Sequence, residues 1–311
     1  MANLKELSKR QEPLTGGHRL CPGCGASIVV RQVLLASKDP VVVVSATGCL
    51  EVSTTIFPYA AWKVPFLHNA FENAAATMSG VEAYYQFLKR KGKTSQHINF
   101  VAFGGDGGTY DIGLQSLSGA MERGHDFTYV CYNNQAYMNT GIQRSSATPK
   151  GANTTTEPAG KVKQGKTMSR KDLTEIMVAH DLPYVAQATV GNWADLTRKA
   201  EKAFSIRGPK FMNVLQPCRL GWAYKPEDTA AIGRIAAETC FWPLYEVENG
   251  IYKITKPREK KPVAEFLKTQ ERFRHLFKPG NEKIIEDIQA DVDRRWQALL
   301  AKEEMTAKAA K

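Results

Sequence analysis

Short apolar, β-branched runs alternate along this chain with stretches of helical periodicity, and that alternation constrains the fold more than any other feature. VVVV (Val41 to Val44), INFVAF (Ile98 to Phe103), FTYVCY (Phe127 to Tyr132) and FMNVL (Phe211 to Leu215) read as strands buried between two layers, and YVAQATV (Tyr184 to Val190) as a fifth. Between them FENAAATMSGVEAYYQFLKRKGK, LQSLSGAMERG, LTEIMVAHD and WADLTRKAEKAF carry helical spacing. The pattern predicts an α/β fold, a mostly parallel sheet with helices on both faces. Ligands of such sheets bind outside the carboxyl ends of the strands. Here Val44 leads to Cys49, Phe103 to Asp106, Tyr132 to Asn133 and Asn134, and Leu215 to Cys218, so these four segments are expected to converge on one edge.

The flanking sequence divides the chain into a main domain, residues 1–252, and a basic C-terminal extension, 253–311. In the extension IIEDIQADVDRRWQALL sets Ile284, Ile285, Ile288, Val292, Trp296, Leu299 and Leu300 on one helical stripe, read as packing on its own domain. Residues 139–169 are polar and aperiodic, and a loop this long inside a domain reads as an ordered cover over the site. The start MANLKELSKRQEP has no apolar h-region, and no run of about 18 apolar residues occurs. A cytoplasmic protein without a membrane partner is expected. The net charge of +11 is scattered except in KPREKKP (Lys256 to Pro262) and near the C-terminus, with no aromatic-interleaved basic module. It suits a solvated surface or an acidic protein partner and gives no support for nucleic acid.

In FGGDGGTYD four glycines surround Asp106 at a strand end. Glycines there let the chain turn and let a phosphate approach the amide donors. A carboxylate beside a phosphate becomes sensible if a hard divalent cation such as Mg²⁺ bridges them. A second oxygen ligand is expected from YNN (Tyr132 to Asn134) at the neighbouring strand end, 28 residues beyond Asp106. GDG followed at this interval by NN resembles the thiamine diphosphate (TPP) binding motif. The resemblance implies that Asp106, the Asn134 side chain and the main-chain carbonyl of Ala136 bind Mg²⁺, with Asn133 shaping the loop.

Cys21 and Cys24 form one C-x-x-C, while Cys49 and Cys218 follow strand ends. Four thiolates suit zinc or an iron–sulfur cluster equally by count. A single knuckle joined by two distant cysteines on the edge expected to hold TPP favours the redox cluster, because zinc has no evident role beside TPP. Cys131 and Cys240 read as buried hydrophobes.

With CPGCG, ATGCLEVSTT, GGDGGTYDIGLQSLSGAMERGHD, YNNQAYMNTGIQRS and QPC in this order, the sequence resembles the β subunit of the 2-oxoacid:ferredoxin oxidoreductases, most nearly the pyruvate:ferredoxin enzymes, over nearly its whole length. The resemblance implies the diphosphate-binding half of a TPP-binding fold with a C-terminal helical tail. It implies one [4Fe-4S] cluster on Cys21, Cys24, Cys49 and Cys218, and a TPP site built from Gly105, Asp106, Gly107, Gly108, Asn134, Ala136, Tyr137, Asn139 and Thr140. In that family a 2-oxoacid is decarboxylated on TPP, electrons pass singly to the cluster and on to ferredoxin, and coenzyme A takes the acyl group. Asn139 matches a family position near the reacting carbon, where its amide could hydrogen-bond a developing oxyanion.

The glutamate that activates TPP through its pyrimidine ring belongs in this family to a partner among the α-, γ- and δ-type subunits, as do further clusters; Glu51 and Glu72 stand in no matching motif and read as structural. No C-x-x-C-x-x-C run is present. His68 reads as capping or packing a helix start, and Arg144 as either a structural loop residue or a contact for phosphate, substrate carboxylate or coenzyme A. YNN in place of the YDN of many pyruvate members leaves oxalate, branched 2-oxoacids and 2-oxoglutarate open beside pyruvate. A non-redox TPP decarboxylase or carboligase with zinc, and a cluster-bearing electron-transfer subunit without TPP, are the competing readings.

Overall fold

In the computed structural model, which describes residues 3–309, all five apolar runs are strands of one eight-stranded sheet. Met1 and Ala2 of the N-terminal stretch lie outside the described residues. The strands are β1 (Val41–Ala46), β2 (Phe66–Asn69), β3 (Asn99–Gly105), β4 (Thr128–Asn133), β5 (Tyr184–Thr189), β6 (Lys210–Leu215), β7 (Leu244–Glu248) and β8 (Ile251–Thr255). Their order is β2-β1-β3-β4-β6-β5-β7-β8. The first six pair in parallel; β7 adds antiparallel to β5, and β8 antiparallel to β7.

Strand alternation splits the core into two layers. Val43, Val101, Phe103, Val130 and Tyr132 face the helices Gly25–Ala36 and Trp193–Ser205, while Val44, Ala102 and Cys131 face the helices Ala74–Arg90 and Leu114–Glu122 and the C-terminal elements. Burial on both sides is what a parallel strand of continuous apolar residues requires. The helix Trp193–Ser205 shows how the sequence directs its own packing. Asn192 caps it by accepting the Asp195 N–H at 3.2 Å, and Leu196, Ala200 and Ala203 recur on the buried face.

Three strands differ from expectation. β2 is only four residues and carries His68 on an edge strand, where it caps no helix but packs 3.3 Å from Glu51 in the first turn of the helix Cys49–Thr54. β7 and β8 form a hairpin through Asn249 and Gly250, whose φ values of 47° and 79° suit the Asn-Gly turn that joins twisted antiparallel strands. The boundary expected at 252 runs through β8, and Ile288, Val292, Trp296 and Leu299 of the helix Glu282–Ala309 are buried in the same layer as Cys131. Among the described residues no helix is long and apolar enough to cross a membrane.

Candidate active site

β1, β3, β4 and β6 are consecutive parallel neighbours, so the segments that follow them leave one edge side by side. Asp106 begins immediately after β3 and is 1% exposed. Its Oδ1 accepts the Asn134 N–H at 3.1 Å and its Oδ2 accepts the Ser145 hydroxyl at 2.6 Å. Burial pushes its pKa up to about 7, and those hydrogen bonds oppose the rise only in part.

The Asn134 amide completes the arrangement. One of its terminal atoms lies 2.8 Å from the Ala136 carbonyl oxygen and 2.9 Å from Asp106 Oδ1. With nitrogen there, the amide donates to both and its oxygen accepts from Gln216 Nε2 at 3.1 Å. With oxygen there, three oxygens converge on one point, the donor set a hard cation takes. A buried carboxyl with that neighbourhood fits a divalent ion.

Glycine is required beside it for space. A Cβ on Gly107 would lie 2.3 Å from the Tyr137 ring, and one on Gly108 would lie 2.5 Å from the Phe71 carbonyl oxygen. Tyr137 closes this corner by donating its hydroxyl to the Gly107 carbonyl at 2.8 Å. From Gly108 the chain enters a π-helical turn, Gly108–Ile112, of a kind frequent at functional sites. Gly105, Asp106, Gly107, Gly108, Asn134, Ala136, Tyr137, Asn139 and Thr140 all line one cleft, together with Cys49 and Tyr132. The Tyr132 hydroxyl is buried there without a hydrogen-bond partner, which suits a site that binds a polar group.

Cys49 joins this cleft to the other cysteines. Its Sγ lies 3.7 Å from Asn139 Oδ1, and it lies within electrostatic range of Cys218, Cys24 and Cys21. Burial, reinforced by those neighbours, holds the Cys49 thiol up at about 12; burial holds Cys24 at about 11. Cys24 stands at the N-cap position of the helix Gly25–Ala36 without a side-chain capping bond, while Cys218 Sγ accepts the Gly221 N–H at 3.4 Å, a donor that favours thiolate sulfur there once a cation displaces the proton. Among the described residues no three of these groups are drawn close enough to hold a metal ion as they stand. Cys131 and Cys240 are buried.

Within residues 139–169, Ser145 closes on Asp106, and Asn139 and Thr140 line the same cleft. Ser145 is held by its own N–H to Thr148 Oγ1 at 2.9 Å, Thr148 in turn donates to the Gln135 carbonyl at 2.6 Å, and the Ser146 N–H reaches Asp111 Oδ2 at 3.0 Å. Asn139 and Thr140 remain exposed at the mouth of the cleft. Arg144 lies 3.7 Å from Glu157, within the loop itself. Glu51 accepts from Thr55 Oγ1 at 2.9 Å and lies 3.3 Å from His68, and neither it nor Glu72 lines the cleft. Ser145, Trp222 and Arg272 belong to this region although no motif in the sequence gives them a role. Only Ser145 had a signal, its place in a loop expected to cover the site.

The sheet, the glycine cradle and the oxygen set at its carboxyl edge define a thiamine-diphosphate-binding domain, and residues 46–214 match the family described as thiamine pyrophosphate enzyme, C-terminal TPP binding domain. The pyruvate synthase subunit PorB of Thermotoga maritima is 53% identical over 310 residues, 97% of this chain and 95% of the relative. PorB of Methanocaldococcus jannaschii is 55% identical over 293 residues, covering 93% and 97%. The ketoisovalerate oxidoreductase subunit VorB of Pyrococcus abyssi is 44% identical over 292 residues, 93% of each chain. The fold is also similar to a solved 2-oxoglutarate:ferredoxin oxidoreductase from Magnetococcus marinus, with a TM-score of 0.56 and 19% identity over 68% of this chain and 69% of that one. The chain belongs to the PorB family, the β subunits of the 2-oxoacid:ferredoxin oxidoreductases.

Proposed function

We propose that this subunit serves the CoA-dependent oxidative decarboxylation of pyruvate, holding TPP, Mg²⁺ and one [4Fe-4S] cluster at the sheet edge. The single observation that carries this reading is the contact of Cys49 with Asn139, which brings a cysteine of the four-thiol group to the mouth of the cleft that contains Asp106 and Asn134. When bound, TPP supplies a nucleophilic carbon and a sink for the electrons left by CO₂, and the cluster accepts electrons one at a time. Asp106, the Asn134 side-chain oxygen and the Ala136 carbonyl hold Mg²⁺. Gly105, Gly107 and Gly108 let the diphosphate reach the main chain, and Tyr137 and Thr140 wall the site. The Asn139 amide donates a hydrogen bond to the 2-oxo oxygen as negative charge develops there. Cys21, Cys24, Cys49 and Cys218 ligate the cluster.

Partner subunits of α, γ or δ type supply the carboxylate that faces the TPP pyrimidine and the further clusters, and ferredoxin takes the electrons. The PorB relatives at 53% and 55% identity support pyruvate over the branched 2-oxoacids suggested by VorB at 44%. The test is an anaerobic visible and EPR spectrum of the assembled enzyme before and after each 2-oxoacid. Bleaching of a broad band by pyruvate with CoA, and not by oxalate or 2-oxoisovalerate, is the expected result. A colourless complex, or one bleached only by another 2-oxoacid, overturns it.

A further inference from the structure

Arg272 comes from the C-terminal 3-10 segment Glu271–Phe277, far along the chain from either set of candidate ligands, and is buried against Trp222. It is 5% exposed. Its Nε donates to Gln270 Oε1 at 2.8 Å and its Nη2 to Gln135 Oε1 at 2.6 Å, both neutral acceptors. The guanidinium stacks 3.8 Å from the centre of the Trp222 ring and 4.9 Å from that of Phe273. Among the described residues no carboxylate forms an ion pair with it.

Trp222 ties this cation to both sites. It ends the short helix that Cys218 opens, its N–H bonding the Cys218 carbonyl at 2.9 Å, and its indole Nε1 donates to the Asn134 carbonyl at 2.8 Å. Arg272 therefore lies one tryptophan away from the main chain of both Cys218 and Asn134. A guanidinium this deep is costly unless something compensates it. A thiolate-bound cluster on one side and a metal-diphosphate on the other would both be anionic.

We propose that Arg272 is a fixed counter-charge that raises the reduction potential of the cluster on Cys21, Cys24, Cys49 and Cys218, an inference that rests on the cluster reading above. Reduction by one electron adds one negative charge to the cluster and leaves its bonds unchanged. A buried cation nearby favours that reduced form, because cluster potentials follow local charge in a low-dielectric site. Arg272 touches neither substrate nor the reacting atoms; it sets how readily the electron arrives.

An EPR-monitored redox titration of the assembled enzyme tests this, with iron and sulfide determined on every sample. Arg272→Gln removes the charge, and Gln135→Glu neutralises it with an isosteric carboxylate should the first variant fail to assemble. In either variant the cluster of this chain is expected to titrate at a more negative potential. Its reduced-to-oxidised ratio should fall about tenfold at a fixed poise, or about 59 mV for one electron. Clusters of partner subunits should stay in place as internal references, and Arg272→Lys should remain near the native value. Fully loaded Arg272→Gln or Gln135→Glu enzyme that titrates with the native protein overturns the proposal. Native enzyme whose iron leaves no cluster for this chain instead overturns the reading on which it rests.

Discussion

Ser145 donates its hydroxyl to Asp106 Oδ2 at 2.6 Å across 39 residues of sequence, leaving Oδ1 turned toward Asn134 and Ala136. The cover loop therefore orients the carboxylate as well as shielding it. Ser145→Ala leaves Oδ2 without this donor, and a hydrogen bond to a charged group contributes about 1.5–3 kcal/mol. The Mg²⁺ concentration needed for half-maximal TPP binding should rise roughly tenfold or more, read by quenching of protein fluorescence. An unchanged Mg²⁺ requirement would show that the loop merely covers the site.

Asp106 also gives the cofactor-free protein a pH dependence of unusual sign. Its folded pKa of about 7 lies above the ordinary value of 3.8, so the folded state binds the extra proton between them. That contribution to stability is complete below the ordinary value and is lost as pH rises through about 7. Thermal unfolding of the cofactor-free enzyme should accordingly occur at lower temperature at pH 8 than at pH 5.5, with the difference diminished in Asp106→Asn and by saturating Mg²⁺ and TPP. Parallel pH profiles for native protein and Asp106→Asn would contradict this assignment.

Gly107→Ala forces a Cβ to within 2.3 Å of the Tyr137 ring, and Gly108→Ala to within 2.5 Å of the Phe71 carbonyl. The first can be relieved by moving a side chain; the second meets main chain. TPP affinity should fall at least tenfold in both, with the larger loss of thermal stability in Gly108→Ala. Calorimetric titration with TPP at fixed Mg²⁺ distinguishes them from variants that bind normally.

Cys21→Ser and Cys218→Ser should each lower the iron and acid-labile sulfide of the purified enzyme while TPP content stays near native. Cys131→Ala should retain both and lose about 1 kcal/mol of stability, as expected for a small cavity in a packed layer. Equal iron loss in the Cys131 variant would mean that the four-thiol group has been misassigned.

Asn139→Ala removes an amide at the mouth of the cleft that supports no strand or helix. A fall of roughly 10²-fold in kcat, with cluster and TPP content preserved, is the size expected for loss of one oxyanion donor. Rapid-mixing measurement of CO₂ release locates the loss at decarboxylation or later.

The sequence by itself determined what short-range patterns encode. Apolar runs fully buried on both faces specified parallel strands, helical spacing specified the crossovers, and Asp106, Asn134, Cys49 and Cys218 were placed at strand ends by position alone. Asn249-Gly250 is a local hairpin signal as well, and the β7–β8 pair that it joins crosses the boundary expected at 252. Tertiary structure alone decided which distant groups share one environment. It set Ser145 on Asp106, left the Tyr132 hydroxyl unpartnered in the cleft that Cys49 lines, and buried Arg272 against Trp222, whose own hydrogen bonds reach Cys218 and Asn134. None of these has a periodic or spaced signature, because the energy of a buried charge or orphaned hydroxyl depends on what the packed chain places around it rather than on its neighbours in sequence.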